Sequence, residues 1–380
     1  MSAFALHAAR VLTASGFAPE HCVLIDGARI LSAMPSRDCP EAIPGRRLDG
    51  DLLPGFIDLQ VNGGGGVLFN DQPTIEGIVA IAAAHRRFGT TGLLPTLISD
   101  SLAVVERAIA AVDMAIALGV PGVLGIHIEG PFLNPAKKGV HDDAKFRRLD
   151  EEAIALLGSL RHGRTLVTLA PELAPPGAIR ALTERGVIVA AGHSAASYEQ
   201  IEAAFGEGLS GFTHLFNAMS QLGSREPGVV GAALDNRRSW CGLIVDGHHV
   251  HPATLRIALA AKGADHCALV TDAMPLAGTG ETGFMLGDQH ISEIGGRLVT
   301  DDGTLAGSAL TMDKAVANAE RLIGVDRATA LRMASAVPAT ILGMAAVRGA
   351  IGPGLTADLI HVDGRGTVVE SWISGVPDKG

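Results

Sequence analysis

The amino-acid sequence predicts an α/β protein: a (β/α)8, TIM-like barrel with a small β-sandwich domain formed from both chain ends. Three observations carry that expectation. From about Leu53 to Gly343, short apolar runs alternate with amphipathic helical stretches, the signature of parallel strands joined by helical crossovers. Eight such runs occur, which suits a closed barrel. Beyond them, both chain ends read as short β-strands too few to be stable apart, so the economical solution is that they pair with each other.

Taken in order, the first 50 residues hold three strand candidates, Ala5–Leu12, Cys22–Ile25 and Arg29–Met34, punctuated by Gly and Pro. The barrel strands are expected at Gly55–Asn62, Gly92–Ile98, Gly122–Glu129, Thr165–Ala170, Val187–His193, Gly211–His214, Gly242–Asp246 and Ala268–Asp272. Among them, Ile75–Phe88, Leu102–Leu118, Ala178–Arg185, Tyr198–Gly206 and Pro252–Lys262 read as helices. A strand-rich insertion, Gly283–Leu305, interrupts the barrel before its last helix, Leu310–Ile323. Leu359–Val362 and Val368–Ile373 then return as strands. The expected domains are residues 51–344 for the barrel, with 1–50 and 345–380 as the two parts of the sandwich. An open doubly wound sheet is the weaker architecture, because Gly63–Gly66 follow the first barrel strand without a G-x-G-x-x-G or G-K-[ST] frame. Those glycines read instead as a tight loop where backbone approaches a ligand or another strand.

A chain of 380 residues with 47% hydrophobic content has material for one large core and a smaller satellite. The formal net charge of -10 is spread without an acidic or basic block, so neither a nucleic-acid footprint nor a polybasic membrane patch is visible. Any anionic ligand must be held by a few placed cations. Met1–Arg10 is too short and broken for a secretory signal, and no run of about 18 apolar residues appears, so a soluble, cytoplasmic protein is expected. Cys22, Cys39, Cys241 and Cys267 lie far apart with no C-x-x-C spacing. That pattern argues against a disulfide framework and against a zinc knuckle, and fits a reducing compartment.

Catalytic groups of such barrels sit at the C-terminal ends of the strands, and polar residues collect there in this sequence. The first strand ends in Asp58, Gln60 and Asn62, the third in His127 and Glu129, the fifth in His193, and the sixth in His214. The seventh runs out into Asp246, His248 and His249, the eighth into Asp272. Alone, His193 or His214 reads as a hydrogen-bonded structural histidine, and Glu129 as half of a salt bridge. Together, two His and one Glu from different strands of one rim match an open catalytic metal site, three protein ligands with water completing the shell. Asp272 ends a hydrophobic run, where a carboxylate is costly unless it meets a cation or moves a proton. Alone it reads as a cap for the loop that follows. Beside a metal-activated water it reads as the general base that takes the water proton and returns it to a leaving amine.

The segments Pro54–Gly63, Gly125–Phe132, Lys137–His141, Ala191–Ser194, Thr213–Met219, Arg225–Gly228, Asp246–His249, Val270–Met274 and Gly307–Met312 carry a nearly full-length resemblance. In combination they are specific, and the chain resembles the N-acetylglucosamine-6-phosphate deacetylases, a family within the amidohydrolase superfamily. The resemblance implies Glu129, His193 and His214 as metal ligands and Asp272 as catalytic acid/base. It implies that His141 faces the acetamide and helps polarise its carbonyl, and that Asn217, Ala218, Arg225 and His249 hold the phosphosugar. Many amidohydrolases carry His-x-His on the first strand for a second metal; here Gln60 and Asn62 stand instead, and amides are poor zinc ligands. One divalent transition metal per subunit is therefore expected, zinc, with Fe2+ or another divalent ion open to N/O ligands.

The implied reaction is hydrolysis of N-acetylglucosamine 6-phosphate to glucosamine 6-phosphate and acetate. The implied partner is a small-molecule amino-sugar phosphate. One cation of the phosphate site can come from a second subunit, which implies a homodimer. Two rival readings stay open. One is an amidohydrolase of another N-acyl or cyclic amide substrate, against which Arg225 and His249 speak, since a neutral substrate would not need them. The other is a catalytically inactive sugar-phosphate-binding protein; retention of Asp272 argues against it, because binding needs no proton shuttle.

Overall fold

In a computed structural model, which describes residues 3–378, the eight apolar runs pair in parallel in chain order. They are β1 (Phe56–Val61), β2 (Thr90–Ile98), β3 (Gly125–Glu129), β4 (Arg164–Leu169), β5 (Ile188–Ala191), β6 (Gly211–Phe212), β7 (Trp240–Leu243) and β8 (Cys267–Leu269). All residues of β1, β2 and β3 are buried, which explains why their sequences are continuous apolar runs rather than alternating ones. One face packs into the barrel and the other lies under the helices. Closure between β8 and β1 comes just past the ends of the regular ladder. Asp272 N–H donates to the Gln60 carbonyl at 3.0 Å, Gly63 N–H to the Ala273 carbonyl at 2.9 Å, and Thr271 Oγ1 to the buried Asp58 carboxylate at 2.6 Å.

Helices Ile75–Arg86, Leu102–Ala117, Ala178–Thr183, Tyr198–Glu207 and Pro252–Lys262 stand where helical periodicity was expected. The Tyr198–Glu207 helix starts at a reciprocal cap, in which Ser197 accepts from Gln200 N–H and Gln200 accepts from Ser197 N–H. The expected final helix is shorter: Met312–Asn318 is α-helical and Ala319–Ile323 continues as a π-helical turn. Four further helices among the described residues, Glu151–Leu157, Gly228–Asp235, Arg327–Ala334 and Ala336–Ile341, complete the set.

Four strands stop two or more residues earlier than the sequence suggests. Runs expected to reach His193, His214, Asp246 and Asp272 end at Ala191, Phe212, Leu243 and Leu269; beyond three of these ends, His193, His214 and Asp272 take positive φ, of 49°, 31° and 53°. A residue so twisted leaves the ladder, and for non-glycine residues the conformation is costly.

Both chain ends meet in one sheet beside the barrel. Its main path runs Val376–Pro377, Val368–Ile373, Leu359–Val362, Asp51–Pro54, Phe4–Thr13, Gly16–Asp26, Arg29–Pro35, and Gly45–Arg47 pairs with Phe4–Thr13 off that path. Leu6, Val11, Val23, Ile25, Leu52, Leu359 and Trp372 form its separate core. The insertion folds into three antiparallel strands, Gly283–Leu286, Gln289–Ile294 and Arg297–Val299, on a small core with Leu68, Met274 and Leu276. It carries the segment Gly303–Leu305 to the mouth of the barrel. Gly63–Gly64 form a two-residue ribbon with Val67–Leu68, so these glycines serve a close backbone approach: a Cβ on Gly63 would lie 2.3 Å from the Val67 carbonyl.

Candidate active site

The rim at the C-terminal ends of the strands opens into a cavity of about 520 Å³. Glu129 from the end of β3, His193 after β5 and His214 after β6 meet at its floor, all buried. His214 Nε2 lies 2.9 Å from Glu129 Oε1 and 3.1 Å from His193 Nε2, and His193 Nε2 lies 3.3 Å from the same carboxylate oxygen. His193 Nδ1 is 2.8 Å from the Lys137 carbonyl, which can only accept, so Nδ1 keeps the proton and Nε2 presents a lone pair. Three lone-pair atoms from three strand ends thus converge on one point, the donor set of a divalent transition metal. Burial opposes charge on Glu129, but the two histidines hold its carboxyl well below the usual carboxylate range. For His214 burial pulls down and Glu129 pulls up harder, so its imidazole is raised.

Asp272 borders the same cavity. Its Oδ1 accepts from Asn62 Nδ2 at 2.7 Å and from Gln60 Nε2 at 3.0 Å, while Gln60 Nε2 also reaches both Glu129 oxygens at 3.1 Å. Burial, then the Glu129 charge, push the Asp272 carboxyl up to about 6, against the pull of His214, His249 and Asn62. A carboxyl near that value can both take and return a proton close to neutrality. Asp58 and Gln60 alternate along β1 and Asn62 continues the alternation just past its end, so the three share one side of the chain. The residue types, two amides, hid what they do, which is to orient Asp272 and tie it to Glu129.

His141 lies in the cavity wall with its ring 4.4 Å from that of His193. Its Nδ1 accepts from the Ser99 backbone N–H at 3.3 Å and pairs with Ser99 Oγ at 2.8 Å, which leaves the proton on Nε2. Burial and the neighbouring His193 push this imidazole down to about 3, so it stays a neutral N–H donor. His249 also lines the cavity, fixed by a 2.6 Å contact of Nδ1 with Asp246, and Asn217 and Ala218 complete the wall. His127, singled out at the end of the third strand, lies below the rim. It is satisfied there by the Leu59 carbonyl at 3.1 Å and Thr168 Oγ1 at 2.8 Å, a structural histidine pushed down to about 4 by burial.

Arg225 stands apart from this group. It is exposed on the loop that follows Asn217 and Ala218, and it does not line the cavity of its own chain. Its neighbour Glu226 is engaged elsewhere, accepting from the backbone N–H groups of Tyr198 and Gly228. His251 caps the helix at Pro252. Among the described residues, no helix is long and apolar enough to cross a membrane.

A barrel with a buried Glu/His/His donor set and an adjacent buried Asp is a hydrolase scaffold, and the chain belongs to the amidohydrolase family, whose model matches residues 52–379. More particularly, it is 42% identical over 371 residues to N-acetylgalactosamine-6-phosphate deacetylase of Shewanella sp. (strain ANA-3), covering 97% of this chain and 94% of that one. It is 37% identical to N-acetylglucosamine-6-phosphate deacetylase of Bos taurus, over 89% of this chain and 84% of the relative. Among solved structures, an N-acetyl-D-glucosamine-6-phosphate deacetylase mutant from Mycobacterium smegmatis in complex with N-acetyl-D-glucosamine-6-phosphate superposes with a TM-score of 0.90 at 31% identity. That match covers 99% of each chain.

Proposed function

We propose that this protein hydrolyses the acetamide of N-acetylglucosamine 6-phosphate, releasing glucosamine 6-phosphate and acetate. The observation that carries the reading is Asp272, oriented by two amides at the edge of the Glu129–His193–His214 set inside one cavity. A volume of about 520 Å³ suits a hexosamine phosphate, since small-molecule sites run from about 300 to 1,000 Å³.

Glu129, His193 and His214 would hold the ion, and zinc fits the nitrogen-rich set. When bound, a divalent ion there supplies a water acidic enough to attack an amide at neutral pH. Asp272 accepts the proton of the attacking water and delivers it to the sugar nitrogen as the C–N bond breaks. The His141 Nε2–H donates to the acetamide oxygen and stabilises the negative charge that develops on it. Asn217, the Ala218 backbone and His249 line the wall where the phosphosugar would lie. Arg225 is outside the cavity of its own chain, so its contact with phosphate would be made across to a second subunit, with a homodimer as the working unit. Four unpaired thiols suit a reducing cytoplasm.

A second reading concerns only the sugar. The 42% identical relative is named for the galacto epimer, so N-acetylgalactosamine 6-phosphate is the alternative substrate. Acetate release should be measured on both phosphosugars and on their unphosphorylated forms. We expect turnover of the phosphosugars, with the ratio of the two kcat/KM values assigning the epimer. Equal kcat/KM with and without the phosphate would refute recognition of a phosphosugar.

A further inference from the structure

The absence of a C-x-x-C spacing excludes a zinc knuckle, yet the fold assembles a cluster from residues that spacing could not connect. His7, Cys22 and Cys39 each bring one donor atom to within 4.8 Å of the others. His7 on strand Phe4–Thr13 is directly opposite Cys22 on strand Gly16–Asp26. Cross-strand partners project to the same side of the sheet. Leu6, Ala8 and Val23, their neighbours along the strands, point into the end-sheet core, so His7 and Cys22 face away from it. Strand Arg29–Pro35 then runs into the short turn Ser36–Asp38, which returns the chain so that Cys39 meets the other two.

Cys22 and Cys39 are free thiols. His7 Nδ1 is enclosed and has no hydrogen-bond partner among the described residues. Its Nε2 lies over Gly45, where a Cβ would come within 2.8 Å, so the ring is held in place by the neighbouring strand. A buried ring nitrogen without a partner costs free energy.

We infer that His7, Cys22 and Cys39 form a second metal site, for a thiophilic divalent ion such as zinc, remote from the barrel rim. Zn–S and Zn–N bonds of about 2.3 and 2.0 Å put the donors of a tetrahedral site roughly 3.3–3.8 Å apart, so donors already within 4.8 Å need move by only about 1 Å. Cys22 is buried and the other two are half-buried, which leaves room for a water as fourth ligand. Two thiolates and one imidazole make the site softer than the carboxylate and two imidazoles of the rim, so the two ions are distinguishable by ligand chemistry. The ion pins the turn after the third strand to the first strand pair. Its binding releases the two thiol protons and changes no oxidation state.

Cobalt(II) reads the two sites separately, because of the two donor clusters found among the described residues this one alone offers thiolate sulfur. Full-length protein, reduced and stripped with a chelator, should be titrated with cobalt(II). We expect a thiolate-to-cobalt charge-transfer band, displaced by zinc, that is lost in Cys22→Ser and Cys39→Ser and retained in His193→Ala. Acetate release by the zinc-loaded serine variants should match that of the parent, which also shows that they fold. A parent protein without the band, a band that survives both serine variants, or a Cys22–Cys39 disulfide forming in its place would overturn the inference.

Discussion

At the scale of single residues, the site is a set of polar groups tied to neighbours that set their state. The Lys137 carbonyl fixes the proton on His193, Ser99 fixes it on His141, and Gln60 and Asn62 hold Asp272. Asp272→Asn preserves the shape and both contacts with little loss but cannot accept a proton. We expect it to retain metal and substrate binding while turnover falls by about 10²–10⁴-fold, the range of general acid–base catalysis. Steady-state kinetics with metal analysis checks this, and turnover near the parent value would remove Asp272 from the proposed role. Glu129, His193, His214 and Asp272 were legible because a charged or imidazole side chain at the end of an apolar run is costly unless used. Gln60 and Asn62 were legible only as missing histidines. The His7–Cys22–Cys39 cluster was not legible, since it depends on cross-strand register and a turn, which no local spacing encodes.

At the scale of elements, the strands were read from apolar runs, and their ends were misjudged where left-handed residues leave the ladder. Such residues are placed by the loops beyond them, which periodicity does not reach. Helix packing adds one exposed test. Asp113, on helix Leu102–Ala117, accepts from the backbone N–H groups of Arg161 and His162 and pairs with both side chains, at 2.6 Å for Arg161 and 2.9 Å for His162. Burial raises this carboxyl, but Arg161 and His162 outweigh it and hold it down to about 2. A depressed carboxylate stabilises the fold above its unfolded value, and that stability is lost as pH falls through about 2. Asp113→Ala removes the acceptor of the N–H groups just ahead of β4, so we expect about 1 kcal/mol of lost stability near neutrality. The loss should shrink as acid protonates the parent. Urea unfolding of both proteins at neutral and acid pH measures it, and a difference that grows in acid would contradict the assignment.

At the scale of the whole molecule, an acidic chain must capture a dianionic sugar, so recognition rests on local contacts rather than on long-range attraction. Exposed Arg225 gives that idea a test. Arg225→Ala should lower kcat/KM for the phosphosugar at least about tenfold, or some 1.4 kcal/mol, and leave any activity on the unphosphorylated sugar unchanged. Sedimentation should find a dimer in solution; a monomer with full activity, or an equal loss on both sugars, would reject the shared phosphate site. The end sheet has a different kind of consequence. Asp49 and His361 meet through a hydrogen bond across 312 positions of chain, and strand Asp51–Pro54 pairs on one side with Leu359–Val362. On a ribosome, the first strands therefore emerge long before the partner that flanks them, and the whole barrel can be translated while that edge stays open. The order of synthesis is the reverse of the order of completion: what is made first is sealed last.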